Sequence, residues 1–346
     1  MTDTIDTRAH LDFVLALRRR WADTIYPHVR GEFQHASASD APDPGLETRV
    51  HDLPSYPWFA WLERGSQKML WRAVEDVTRD DTDEHLDALA PATLQLDPHL
   101  VLPQWYTQWD IHLQPGGIWS TRAAAATYEL GAKLVMLGEN DDYKFHRLFV
   151  DTALPVRRYH SIIDLGCGFG KSTWPLKKRF PQAEVIGIDL SEPCLRLSAH
   201  RAGQQDLAIH FRQADATATD LESGTMDLVT STMLVHELPL ELMPALFVEA
   251  SRLLRAGGVL RFLDFQRTGD EFRDLAMLEH GSRNNEPYMA PMLLADLVTM
   301  ARDAGLDDVR WMAFDERNAG RLPDLVWPTR REWHFPWAVL EAEKSA

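Results

Sequence analysis

Ser161-Ile-Ile-Asp-Leu-Gly-Cys-Gly-Phe-Gly170 is the stretch on which the fold turns, a short apolar run that carries an acidic residue near its end and meets three glycines at alternate positions. A run this short and this apolar reads as a strand buried on both faces of a parallel sheet. The glycines let the backbone turn tightly and come close to a ligand, because no Cβ stands in the way. Ser172 or Thr173 is placed to cap a following helix, Pro175 is tolerable in its first turn, and Pro181 closes it. Strand, loop and helix thus arrive in the order a nucleotide site requires.

The spacing narrows the ligand. A dinucleotide fingerprint is G-x-G-x-x-G, and here the third glycine comes one residue early, with Lys171 in its place. Downstream, strand and helix alternate as in an open parallel sheet, and strand after strand ends on an acidic residue. Glu184 to Leu190 ends in Asp189, whose two oxygens match the paired hydroxyls of a ribose, although the same carboxylate could serve the helix that starts at Ser191. Ala208 to Ala214 leads into Asp215-Ala216. Met226 to Ser231 enters Thr232-Met-Leu-Val-His-Glu-Leu-Pro239, and Val259 to Phe265 follows the Arg255-Ala-Gly-Gly258 turn. A last helix over Leu293 to Gly305 and closing strands over Asp308 to Phe314 and Phe335 to Glu343 complete the expected fold.

Together these features resemble the class I S-adenosylmethionine-dependent methyltransferases, whose first motif, acidic-x-Gly-x-Gly-x-Gly, is matched by Asp164, Gly166, Gly168 and Gly170. The resemblance covers about residues 155–345. It implies an α/β fold with an open, mostly parallel, seven-stranded sheet and a final antiparallel strand. It also implies that Cys167, Leu190, Ala216 and Thr232 join Asp164, the three glycines, Asp189 and Asp215 in holding the cofactor, with Asp215 and the next backbone N–H reading adenine. His236-Glu237-Leu-Pro239 is similar to the corresponding stretch of UbiE-like quinone methyltransferases. His236 is the candidate general base and Glu237 the carboxylate expected to orient it, while capping or packing is the structural alternative for both.

The segment before residue 155 lies outside that core, so the chain divides into a helical part, 1–154, and a cofactor-binding part, 155–346. Ala9 to Ile25 has helical spacing and should end or kink at Tyr26-Pro27. Ser37 to Pro44 reads as a surface loop, Tyr56 to Val77 as an aromatic-rich helix, and Arg79 to Glu84 as a solvated acidic connection. Further helices are expected from Ala123 to Leu137, capped by Ser120 or Thr121, and over Asp141 to Ala153. Between them, Pro98 to Trp119 loses its period but keeps aromatic side chains and polar tips, suited to a pocket wall or an interface. Tyr106, His112, Gln114 and Tyr143 are the acceptor-facing candidates there. Asn284 and Tyr288, grouped with His280 and Asn285 before the last helix, are the candidates from the second part.

The chain has 346 residues, 45% of them hydrophobic, and a net charge of −16. Residues 1–160 carry 16 basic and 24 acidic side chains and the remainder 20 and 28, so neither part forms the cationic surface that phosphate backbones or anionic membranes need. Cys167 and Cys194 belong to no CxxC or Cys/His cluster, so no metal site is expected, and their simplest role is packing. No stretch is long and apolar enough to span a bilayer, which suggests the cytoplasm. These readings lead to the expectation of a methyltransferase acting on a small-molecule acceptor. Alternatives are a protein or RNA methyltransferase, or a non-catalytic S-adenosylmethionine-binding partner protein, with a homodimer through the helical part as another use of that segment.

Overall fold

The computed structural model describes residues 5–37, 45–78, 88–137 and 143–345. The acidic run Arg79–Glu84 lies outside them, as does the expected Ser37–Pro44 loop beyond Ser37 itself. The chain opens with helix α1 (Ile5–Arg20), a π-helical turn (Trp21–Ile25) and α2 (Tyr26–Ser37). The expected stop at Tyr26-Pro27 is therefore a change of helical pitch. Pro27 falls directly after the π-helical turn, at the second residue of α2. Next come α3 (Leu46–His51), α4 (Tyr56–Thr78), strand β1 (Thr93–Gln95), the short α5 (Gln104–Thr107), α6 (Arg122–Leu134) and α7 (Lys144–Ala153). Thr121 caps α6, its hydroxyl accepting the Ala124 N–H at 3.1 Å.

The second part runs β2 (Ser161–Leu165), α8 (Thr173–Arg179), β3 (Glu184–Asp189), α9 (Glu192–Gln204), β4 (His210–Gln213), β5 (Met226–Thr232), α10 (Met243–Leu253), β6 (Leu254–Phe265) and α11 (Glu271–Arg283). It closes with α12 (Met289–Leu294), α13 (Leu297–Asp303), β7 (Asp307–Asp315), β8 (Gly320–Arg321) and β9 (Trp337–Glu343). Helix α11 went unforeseen, although Asp270 caps it by accepting the Arg273 N–H at 2.9 Å. The single last helix expected over Leu293–Gly305 is two helices, broken at Ala295 where the backbone turns extended.

Among the described residues the sheet has nine strands, in the order β1-β4-β3-β2-β5-β6-β9-β7-β8. Strands β1 to β6 pair in parallel, and β9 lies antiparallel between β6 and β7. The count exceeds the expected seven because β1, from before residue 155, adds to the β4 edge and β8 pairs with β7. The strand order reverses on either side of β2, and that switch point opens a crevice at the carboxyl ends of the strands. The core is continuous from Trp21 to Ala342, so the N-terminal helices share apolar packing with the sheet layers.

Close backbone approach sets the position of α6 against α4. A Cβ built on Gly131 would stand 2.1 Å from the Trp71 ring, which is itself buried. Gly131→Ala should therefore destabilise the protein by about 1–3 kcal/mol through overpacking, outweighing the helix-propensity gain of about 1 kcal/mol. Thermal unfolding reads it as a lower Tm, and an unchanged or higher Tm would contradict this packing.

Candidate functional site

Two carboxylates set the glycine loop after β2. Asp164, fully buried at the end of β2, accepts from Ser172 Oγ at 2.6 Å and Thr173 Oγ1 at 2.7 Å. The hydroxyls expected to cap α8 thus turn back beneath the loop and tie the helix to the strand. Burial pushes the Asp164 carboxyl up to about 6 against those two hydrogen bonds. Asp189, at the end of β3, accepts the Gly168 N–H at 2.7 Å and the Ser191 N–H at 2.8 Å. Burial raises it to about 6 as well, opposed by these backbone donors. Gly166, Gly168 and Gly170 all have positive φ, which L side chains adopt only under strain.

Gly166, Gly168, Asp189, Leu190, Asp215, Ala216 and Thr232 line one slot at the strand ends. Tyr106 closes it from the N-terminal side. The residues fit an adenosyl ligand. A Cβ on Gly168 would meet nothing nearer than Tyr128 Cε1 at 3.5 Å, so there is room above the loop, and the buried Thr232 hydroxyl has no hydrogen-bond partner among the described residues. Asp189 keeps lone pairs on both oxygens beyond its backbone bonds. Asp164, Cys167 and Gly170 lie beneath the slot instead of facing it. The Cys167 thiol is buried and raised well above its usual range by that burial.

Beyond the slot lies an inner chamber of about 90 Å³, and Tyr128, Lys171, Met233 and Glu237 line both spaces. His236, held by the 3₁₀ turn after β5, presents Nδ1 at 2.7 Å to Asp264 Oδ1. Asp264 Oδ2 accepts the Val235 N–H at 2.9 Å and the His236 N–H at 3.3 Å. This is a correction to the expected pairing, because Glu237 Oε1 stands 3.9 Å from His236 Nε2 and leaves Asp264 as the orienting carboxylate. Burial alone would lower the His236 pKa, but Asp264 overrides it and raises it.

Glu237 instead pairs with His112, whose Nε2 lies 3.1 Å from Glu237 Oε1 and whose Nδ1 lies 2.8 Å from Glu286 Oε1. The His112 ring is nearly parallel to those of Trp71 and Tyr128. Its backbone has φ 59°, and that of Leu113 has φ 64°, a strain of order 1–3 kcal/mol per residue that the two carboxylates help to hold. Burial would lower the His112 pKa, but Glu286 and Glu237 bring it up to about 10. Lys171 has no carboxylate partner among the described residues. Its ammonium lies 3.1 Å from the Tyr128 hydroxyl, and burial lowers it to about 8.

An outer chamber of about 440 Å³ continues from the inner one and shares Arg18, Gln67 and His280 with it. Asn284 lines this outer space. Gln114 and Tyr143 face neither chamber. Gln114 is fully buried, its amide donating to the Gly117 and Ala124 carbonyls, and Tyr143 packs its ring on Trp174. The Tyr288 hydroxyl donates to the Trp105 carbonyl at 3.1 Å and braces the segment over the slot. Sequence reading missed Asp264 and Glu286. Asp264 carried a signal, as one more acidic residue at the end of a parallel strand, whereas Glu286 carried none. Among the described residues no His, Cys, Asp and Glu group could hold a metal ion, and no helix is long and apolar enough to cross a membrane.

Residues 162–258 match the methyltransferase domain family. The chain is similar to a trans-aconitate 2-methyltransferase of Deinococcus radiodurans, 40% identical over 108 residues, or 31% of this chain and 38% of that protein. It is also similar to a ubiquinone biosynthesis O-methyltransferase of Methylococcus capsulatus, 32% identical over 156 residues, 42% of this chain and 62% of that protein. Each match spans less than two thirds of the relative. Among solved structures, a TehB-like SAM-dependent methyltransferase from Corynebacterium glutamicum aligns with a TM-score of 0.44 and 19% identity, over 64% of this chain and 99% of that one.

The Glu237–His112–Glu286 group makes a prediction about pH. The His112 pKa is raised from 6.5 to about 10, so its stabilising contribution is complete below about pH 6.5 and is lost as pH rises through about 10. His112→Gln leaves buried Glu286 and half-buried Glu237 facing one another and should cost about 3 kcal/mol at neutral pH. Unfolding measured from pH 6 to 10 should show wild type losing stability that the variant lacks throughout. Parallel curves would mean that His112 is neutral in the folded protein.

Proposed function

With residues 162–258 matching the methyltransferase domain family, we propose that this protein transfers a methyl group from S-adenosylmethionine to a small molecule whose accepting atom carries a proton. The observation that carries this reading is the meeting of two spaces at Lys171, Met233 and Glu237, a slot with the donor groups of a cofactor site and a chamber containing a histidine held by a buried carboxylate. When bound, S-adenosylmethionine supplies a sulfonium methyl that a lone pair displaces, leaving S-adenosylhomocysteine. Asp189 would hold the ribose hydroxyls, Asp215 and Ala216 the adenine, and the glycine loop the remainder of the adenosyl group.

The chain's own contribution is proton management and enclosure. Asp264 holds Nδ1–H of His236, leaving Nε2 toward the chamber to take the acceptor's proton, and its charge stabilises the imidazolium that results. The Glu237–His112–Glu286 group forms the opposite wall. Its histidine is already protonated at neutral pH, so it orders and polarises without serving as a base. Helices α1 and α4 and the segment 105–119 cover the acceptor side, in our reading the role of residues 1–154. An acceptor held under such a cover is a small molecule, because a polypeptide or nucleic acid needs an open groove. The names of the relatives, methyltransferases of trans-aconitate and in ubiquinone biosynthesis, support the same class.

Asp189→Ala should weaken S-adenosylhomocysteine binding about tenfold or more by removing charge-assisted hydrogen bonds. Calorimetry measures it, and wild-type affinity in a folded variant would overturn the slot assignment. In single turnover, His236→Gln and Asp264→Asn should each lower the methyl-transfer rate by about 10²–10⁴-fold with cofactor affinity unchanged. The wild-type rate should rise with pH through a value above 6.5, as His236 loses its proton. A rate flat with pH and equal in both variants would remove the base from the mechanism.

A further inference from the structure

Two cations, buried Lys171 and half-buried Arg18, line the inner chamber with no ion pair among the described residues. Lys171 stands at the end next to the cofactor slot, and Arg18, from α1, stands at the end that opens into the outer chamber. The carboxylates around them are committed elsewhere. Glu237 and Glu286 share His112. Glu63 binds His280 and Arg283, and Glu316 binds Arg330. Arg18 makes do with neutral partners, donating to the Gln67 amide oxygen and, at 3.4 Å, to the Val135 carbonyl, while its buried Nε has no partner.

A guanidinium partly withdrawn from water and hydrogen-bonded only to dipoles is costly to keep charged. Burial pulls the Arg18 pKa down to about 10, with Glu63 acting against that as a more distant charge. What such a group lacks is an anion with two acceptor oxygens, which the planar guanidinium fork matches. The place is also informative, because Arg18 lies where the outer chamber narrows into the inner one, at the far end of the chamber from Lys171 and the cofactor slot.

We propose that the acceptor is a small organic acid whose carboxylate or phosphate is held by Arg18, with the accepting atom turned inward toward His236 and Lys171. The proposal rests on the methyl-transfer reading and adds the substrate class to it. Lys171, as a second unpaired cation beside the slot, favours the same sign of charge on the molecule that fills the chamber. Arg18 acts in binding, so its loss shows in KM and leaves kcat nearly untouched.

The test uses the full chain, S-adenosylmethionine labelled on the methyl group, and a cell metabolite extract divided by anion exchange into an acidic fraction and a neutral-plus-cationic fraction. Label should enter a product from the acidic fraction. Phosphatase treatment of that fraction beforehand separates the two anions, since labelling that survives points to a carboxylate and labelling that is lost points to a phosphate. With the acceptor so obtained, Arg18→Gln should raise KM about tenfold or more, with kcat within about threefold and S-adenosylhomocysteine affinity unchanged. Arg18→Lys, which keeps the charge but loses the fork, should recover part of the loss, and melting temperatures confirm that both variants fold. Label appearing only from the neutral-plus-cationic fraction, or a KM unmoved by Arg18→Gln, overturns this inference and leaves methyl transfer standing. Label from neither fraction, with S-adenosylhomocysteine still bound, overturns the methyl-transfer reading and this inference with it.

Discussion

Two carboxylates hold the left-handed turns of the glycine loop after β2, buried Asp164 from below through Ser172 and Thr173, and half-buried Asp189 from the side through the Gly168 N–H. The loop sits where the strand order reverses, so its backbone faces an open crevice instead of a neighbouring strand. Everything that makes the site usable follows from that placement. Asp189 can reach a ligand and the loop together, Lys171 is carried to the boundary between the slot and the inner chamber, and Trp174 packs behind Gly170, where a Cβ would stand 2.7 Å from its ring nitrogen.

The second layer of organisation is electrostatic. Asp264, His236, Glu237, His112 and Glu286 come from β6, the turn after β5, the N-terminal aromatic segment and the link between α11 and α12. They alternate in charge within a few ångströms. In a water-poor chamber such alternation is what makes five ionisable groups tolerable together, since each carboxylate has a cation or a backbone N–H to face. The group also binds the N-terminal segment to the turn after β5 and to the link between α11 and α12. His112, strained in its backbone, makes both ties, to Glu237 in the turn and to Glu286 in the link.

The strand ends that carry Asp189, Asp215 and Thr232, and the loop that carries Gly166 and Gly168, were legible because each is a local event. An apolar run of period two or less, a glycine where φ must be positive, and an acidic residue at the point where a strand gives way to a loop all occur within ten residues. Helices α4 and α6 and the cap at Thr121 were legible for the same reason. Two features resisted. Helix α11 begins after Gly269, where the Asp270 cap was there to be read, and its periodicity is blurred because Phe272 to Met277 are all buried, leaving no polar face in its first turns. Gln114 looked like a ligand-facing amide, but its side chain satisfies two backbone carbonyls of its own turn.

The chain's order of residues by itself determined the open parallel sheet, the glycine loop and the acidic strand ends, since these depend on contacts between neighbours in sequence and on backbone geometry that particular residues permit. Only the tertiary structure decided that Asp264 rather than Glu237 orients His236, that His112 is shared by two carboxylates, and that Arg18 meets none among the described residues. Those outcomes depend on which side chains meet across separations of 28, 125, 174 and 49 residues. At such distances neither spacing nor periodicity carries information, and the choice of partner is made by the packing of the cover on the sheet and by the rule that buried charges find each other or stay exposed to cost.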